Sequence, residues 1–157
     1  MNTWSKWHNI DNFASIDKKP GVYKIRLAYS GKRHPVSISR LLGKDKDGLL
    51  SIGNSINLRK RIGEFCRVAK DMTSFLKHSA GDRLFLIRIC AHSSSNTFFN
   101  DKIIQFSFLM LQNKVEAEEV EEKLLKYYFK KYGELPPLNS SMPDKHVKLW
   151  DEILLNP

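Results

Sequence analysis

Side chains alternate between two faces through Val22 to Ala28, with Val22, Lys24, Arg26 and Ala28 on one side and Tyr23, Ile25, Leu27 and Tyr29 on the other. A Pro-Gly turn precedes this run, and the period of two predicts a strand. "VSISRLL" over 36–42 predicts a second strand, "GKDKDG" over 43–48 a hairpin turn, and "LLSIG" over 49–53 a third strand. The period then changes. Leu58, Ile62, Phe65 and Ala69 fall on one stripe of a helix from about Leu58 to Met72 with Asn57 as its N-cap, and a second short helix is expected over 72–79.

Further along, "DRLFLIRICA" over 82–91 reads as a strand and "HSSSNTFFND" over 92–101 as a loop. "IIQFSFLML" over 103–111 reads as another strand, in which Ile104, Phe106, Phe108 and Met110 alternate with Gln105 and Ser107. A long helix is predicted from Val115 to Tyr132, stopped by Gly133 and the following Pro-Pro, and "PDKHVKLWDEILL" over 143–155 closes the chain as an amphipathic helix. Trp4, Trp7, Ile10 and Phe13 are spaced like one face of a short helix, or form an aromatic lead-in that packs onto the rest. Together these elements predict an α+β domain spanning 1–157, with a small antiparallel sheet flanked by helices.

Charge narrows the range of partners. The 157 residues carry 26 Lys+Arg against 17 Asp+Glu, a formal +9, which favours an anionic partner such as nucleic acid. Cys66 and Cys90 sit in apolar patterns without Cys/His neighbours at metal-ligand spacing, as expected of two buried, reduced thiols rather than a zinc site. The amino terminus lacks the pattern of a signal peptide, and no apolar run approaches the ~20 residues of a membrane helix. A cytoplasmic protein with no membrane partner is the expectation.

Helical geometry singles out two charged side chains. On the helix 115–132 the apolar arc runs through Ala117, Val120, Leu124, Leu125, Tyr128 and Tyr132, and Glu121 falls inside it while the other glutamates lie outside or at its edge. A carboxylate on a packing face requires a cation, a metal or hydrogen bonds, so Glu121 is either a metal ligand or half of a structural salt bridge. On the basic helix, Arg59, Lys60, Arg67 and Lys70 spread over the outer side, while Arg61 flanks the buried stripe, where a guanidinium seeks an anion. That anion could be Glu121, or a phosphate held between them. With Tyr23 and Ser51 on the strands nearest in sequence, the set has the makings of a phosphodiester hydrolase: a metal-bound carboxylate, an arginine for developing charge and a phenol near the water.

The same residues resemble the GIY-YIG nucleases. "GVY" at 21–23, "SIG" at 51–53, "NLRKRI" at 57–62, "AEEVEEKLL" at 117–125 and "PPLN" at 136–139 look like that family's successive signatures, in order. Arg61 lies eight residues after Gly53, and Glu121 four after Ala117, which is similar to the family's spacing. The resemblance implies a three-stranded antiparallel core with extra strands, and single-strand cleavage of DNA with one Mg²⁺ or Mn²⁺ ion held by Glu121. It also implies that Tyr23 orients or deprotonates water, that Arg61 stabilises the phosphorane, and that Asn139 closes the hydrogen-bond network. A phenol of ordinary pKa near 10 is a poor base at neutral pH, so Lys24, Lys60 or Arg61 would have to lower it.

The chain departs from the family pattern at two places. Ser51 stands where the second motif has tyrosine, and Phe65 stands one turn after the arginine where histidine or tyrosine is usual. Ser51 keeps a hydroxyl at the site; Phe65 cannot donate, accept or titrate and reads as core. Candidate nucleic-acid contacts are Lys24, Asn54, Arg59, Lys60 and Arg67. An active endonuclease, which would need two copies for a double-strand cut, is one reading; a GIY-YIG-fold module that binds DNA or a protein without cutting is the other. The long interval between Tyr23 and Ser51 leaves room for the extra strand at 36–42 and the basic loop "SGKRHP" over 30–35.

Overall fold

A computed structural model of the chain describes residues 3–31, 34–70 and 78–141. The helix expected over 143–155 and most of the one expected over 72–79 lie outside these. The described strands are β1 (His8–Asn9), β2 (Gly21–Tyr29), β3 (Ile38–Arg40), β4 (Gly43–Asp45), β5 (Leu49–Ser55) and β6 (Lys102–Met110). The described α-helices are α1 (Leu58–Lys70), α2 (Ser79–Ser93) and α3 (Lys114–Tyr132).

The main sheet is four-stranded and antiparallel, in the order β1-β6-β2-β5. Alternation along β2 separates two cores, as its sequence requires. Tyr23, Ile25 and Leu27 join Phe106 and Phe108 of β6 beneath α1 and α2, where Leu58, Ile62, Phe65 and Leu84 are buried. Val22 on the opposite face meets Ile52, Leu109 and the Ala117 and Leu125 side chains of α3. Full burial of each such aliphatic or aromatic side chain contributes roughly 1.5–3 kcal/mol, so the two faces hold both helical layers firmly on one sheet.

Two expectations are corrected and one open alternative is decided. Residues 82–91 are the middle of α2, not a strand. Their apolar side chains are spread around the helix, with Leu84 buried but Leu86, Ile87 and Ile89 exposed, so period alone could not separate helix from strand. The run "GKD" is strand β4 rather than part of a turn; it pairs with β3 in a separate two-stranded hairpin, and the reversal falls at Leu41–Leu42. Of the two readings of the Trp-rich start, the packed lead-in holds and the helix does not: β1 pairs with β6, and a short 3-10 turn follows at Phe13–Ser15.

That lead-in covers one sheet edge and two cations. Trp4 lies over Lys24 Nζ and Trp7 over the Arg26 guanidinium, each 4.1 Å from the ring centre. Arg26 also donates to Gln105 Oε1 at 2.9 Å. The other edge, β5, is closed by the segment after α3: Leu138 N–H donates to the Leu50 carbonyl at 2.8 Å. Covering both edges removes templates for strand addition.

Asp45 fixes α3 against the sheet. Fully buried, it accepts hydrogen bonds from the Asp47 and Leu49 amides at 2.8 and 3.0 Å and from the Tyr128 hydroxyl at 2.9 Å. Burial, then the Asp45 bond and charge, push the Tyr128 pKa far above the phenol range. The start of α3 is set by Asn113, whose Oδ1 accepts from Glu116 N–H at 2.9 Å, and its end by Gly133 at φ 72°. This register decides which glutamate faces the β5 edge.

Candidate active site

Tyr23, Gly53, Arg61, His78, Glu121 and Asn139 converge on one cleft of ≈ 240 Å³ beside β5. Ser51 and Asn54 line it as well. Tyr23 comes from the α1 face of β2, Arg61 from the first turns of α1 and Glu121 from α3, so the cleft lies where the layers meet at the sheet edge. Asn57 starts α1 here: its Oδ1 accepts from Lys60 N–H at 3.0 Å, and its own N–H donates to Ser55 Oγ at 3.0 Å.

The two motif glycines have separate physical reasons. A Cβ on Gly21 would collide with the Leu109 carbonyl of the adjoining strand, and a Cβ on Gly53 would lie less than 3.0 Å from the Tyr23 ring and hydroxyl. Gly53 faces Tyr23 across the β2–β5 pair, and its bare backbone lets the phenol lie flat over it. Ser51 is buried at the same edge, paired with Ile25. With no phenol at position 51, the cleft lining is mainly polar.

Glu121 lies half-buried on α3 and accepts a hydrogen bond from Asn54 Nδ2. Burial raises its pKa above the ordinary carboxylate range; the Asn54 bond opposes this, Glu118 adds to it and Arg61 opposes it. Arg61, for which the sequence left Glu121 or a phosphate as the anion, forms an ion pair with Glu64, three residues on along α1, at 3.8 Å. Arg61 therefore faces the cleft with Glu64 on its α1 side and Tyr23 and Glu121 close enough to feel its charge.

Tyr23 is buried, and desolvation raises its pKa; the charge and hydrogen bond of Arg61 pull the other way without prevailing. Of the three cations that could lower this phenol, Arg61 is the one that acts on it. Lys24 stands on the opposite face of β2 beneath Trp4 and Lys60 is exposed on α1. The phenol remains protonated at neutral pH.

His78 was not singled out from the sequence. It is 1% exposed, its Nε2 lies 3.3 Å from Tyr23 Oη, and its Nδ1 accepts from the Gly81 amide at 3.3 Å as the N-cap of α2. The signal that could have found it is "HSAGD": a cap residue, a small-residue turn and an acid in the first helical turn. Reading 82–91 as a strand hid it. Phe65 is core as expected, and its ring meets His78 edge-on at 5.3 Å.

Asn139 makes a two-point clip on β5. Its Oδ1 accepts from Ile52 N–H at 3.0 Å and its Nδ2 donates to the Ile52 carbonyl at 2.8 Å. The side-chain amide thus acts as one more strand residue at the edge, holding the loop after α3 over the cleft. Among the candidate nucleic-acid contacts, Arg59 and Lys60 are exposed on α1, and Arg67 is exposed with its guanidinium 5.7 Å from the Phe13 ring centre. Asn54 is committed to Glu121, and Lys24 is half-buried. The cysteine expectation divides: Cys66 is buried, with its thiol pushed up to about 12 by desolvation, whereas Cys90 is exposed.

The donor set can be tested against a metal. Mg²⁺ takes oxygen ligands, keeps several waters and is commonly held through one or two carboxylates. Glu121 offers one carboxylate whose charge is uncomfortable without a cation, in a polar cleft with room for water. Among the described residues no group of three or more His, Cys, Asp or Glu side chains forms a metal cluster. Among the described residues, too, no helix is long and apolar enough to cross a membrane.

Comparison with curated proteins and with solved structures gave no match in either case. The family model described as "GIY-YIG domain-containing protein" matches residues 3–134, a span that includes Tyr23, Arg61, His78 and Glu121. The antiparallel sheet and its three helices are consistent with that fold, and the chain belongs to the GIY-YIG family of nuclease domains.

Proposed function

We propose that this protein is a metal-dependent DNA endonuclease that hydrolyses phosphodiester bonds at the cleft beside β5. The observation that carries the reading is the convergence of Tyr23, Arg61 and Glu121, drawn from three elements, on one polar cavity. Glu121 would hold Mg²⁺ or Mn²⁺, which supplies Lewis acidity at the phosphate when bound. Arg61 stabilises charge as it develops on the phosphoryl oxygens, having its fork turned to the cleft. Tyr23, kept protonated by burial, orients the attacking water by hydrogen bonding rather than by accepting its proton in the resting state.

Ser51 adds a short hydroxyl at the wall, and Asn139 maintains the wall through its clip on Ile52. Arg59, Lys60 and Arg67 make non-specific phosphate contacts from the exposed side of α1. Residues 1–157 act as one nuclease domain in the cytoplasm; one site cuts one strand, so a double-strand break takes a homodimer or two encounters. A second reading, a DNA-binding or protein-interaction module of the same fold with weakened cleavage, rests on Ser51, which leaves the cleft without a second phenol.

Supercoiled plasmid incubated with Mg²⁺, Mn²⁺ or EDTA tests the proposal. Metal-dependent nicking that disappears in Glu121→Ala and falls in Tyr23→Phe is expected. Retained DNA binding without nicking under either metal would favour the second reading, and nicking unchanged by Glu121→Ala would refute the site assignment.

A further inference from the structure

We infer that His78 is a positioning residue for the Tyr23 phenol, donating Nε2–H to its oxygen and so fixing where the phenol's own proton points. This rests on the nuclease reading for its consequence, but not for its geometry. Gly81 N–H donates to Nδ1 at 3.3 Å, so Nδ1 carries no proton. A neutral imidazole with a bare Nδ1 must carry its hydrogen on Nε2, which lies 3.3 Å from Tyr23 Oη. Burial, aided by the Arg61 charge, holds His78 down at about 4, so the neutral form prevails at physiological pH.

The α2 N-terminus thus selects a tautomer, and the tautomer selects the phenol's hydrogen-bond role. A hydroxyl offers one donor and two lone pairs. The imidazole takes one lone pair, and Arg61 hydrogen-bonds the same side chain. The hydroxyl hydrogen is left to point into the cleft that Glu121 and Ser51 also line. Phe65 and Gly53 complete the cage: the Phe65 ring edge meets the imidazole, and Gly53 leaves space for the phenol to lie within reach. A cap alone would require one acceptor; His78 is engaged at both ring nitrogens. Histidine chemistry therefore enters this site from the start of α2 rather than from the α1 helix.

Two substitutions separate the roles. His78→Asn places an amide oxygen where Nδ1 stands and keeps the cap, but is too short to reach Tyr23. His78→Gln reaches the Nε2 position with an N–H donor and loses the cap. Under the proposal, single-turnover nicking at saturating DNA falls about tenfold or more in His78→Asn with little change in DNA affinity. His78→Gln, despite a melting temperature lower by about 4 °C, nicks closer to the wild-type rate. The reverse order of rates would overturn it, leaving His78 as a cap.

A readout free of activity is the side-chain ¹⁵N NMR spectrum of His78. An unprotonated Nδ1 and a protonated Nε2 whose shift changes in Tyr23→Phe are expected. A proton on Nδ1, or a spectrum indifferent to Tyr23→Phe, would refute the inference. If the wild-type protein cuts no DNA, the nuclease reading fails while this spectrum still decides the role of His78.

Discussion

Gly53 lies beneath Tyr23, with no room for even a methyl group between strand and phenol. Gly53→Ala is therefore expected to fold but to swing the phenol out of its place, lowering the nicking rate by about tenfold or more. Gly21→Ala should behave differently, because its obstacle is the Leu109 backbone carbonyl rather than the end of a side chain. Forcing β2 and β6 apart should destabilise the fold by roughly 1–3 kcal/mol or more. Urea unfolding and single-turnover assays on both variants check the contrast.

Glu121→Gln should abolish nicking and yet stabilise the metal-free protein near neutral pH. Its carboxyl titrates above the ordinary value, so folding favours the protonated form. The stabilisation is full below the unfolded-state pKa and is lost as pH rises through the folded one, leaving the ionised form at a disadvantage at pH 7. Gln keeps an acceptor for Asn54 and removes the charge. Thermal melts with EDTA should show a higher Tm for the variant; with Mg²⁺ the wild-type protein alone should gain.

Acid should act through His78 in the opposite sense. Its pKa falls from 6.5 to about 4 on folding, so its contribution is present above 6.5 and declines as pH drops toward 4. The difference corresponds to as much as ~3 kcal/mol, against which the raised Glu121 pKa works. Between pH 7 and pH 5 the wild type should lose more stability than His78→Asn, measured by urea unfolding at each pH. Equal losses would mean that His78 does not carry the acid sensitivity.

Asn139→Ala should lower stability by about 1–2 kcal/mol, because the two Ile52 main-chain groups lose their partners. Activity lost in this variant should return on cooling, since the clip holds the cleft wall. Hydrogen exchange at the Ile52 amide should rise selectively.

The outer cations of α1 can be tested by salt. Replacing Arg59 and Lys60 with alanine should weaken DNA binding and reduce the slope of log K against log salt by about one for each phosphate no longer neutralised. Lys24→Ala should leave the slope unchanged and destabilise the fold, since its ammonium sits over Trp4. An equal change in slope for Lys24→Ala would bring that residue to the DNA.

Strands β2, β5 and β6, helices α1 and α3, and the placement of Glu121 on a packing face all follow from local sequence. β2 and β6 alternate with a period of two, β5 is a short apolar run bounded by turn residues, and the helices repeat at 3.6 with Asn57 and Gly133 marking ends. These are local regularities, and a burial stripe on a long element is legible without knowing what covers it. What lies across the cleft was settled by packing between segments. Residues 82–91 have apolar side chains on every side, so their helical state depended on docking against α1, and with it the position of His78. The spacing of Trp4 and Trp7 fits a helix face and a packed lead-in alike, and the assembled sheet decides for the lead-in, with the two rings over cations on one sheet face. Asn139 and Ile52 lie 87 positions apart, a separation that no periodicity could relate. A hydrogen bond between distant segments depends on where packing brings them, and that information resides in the assembled layers rather than in either segment.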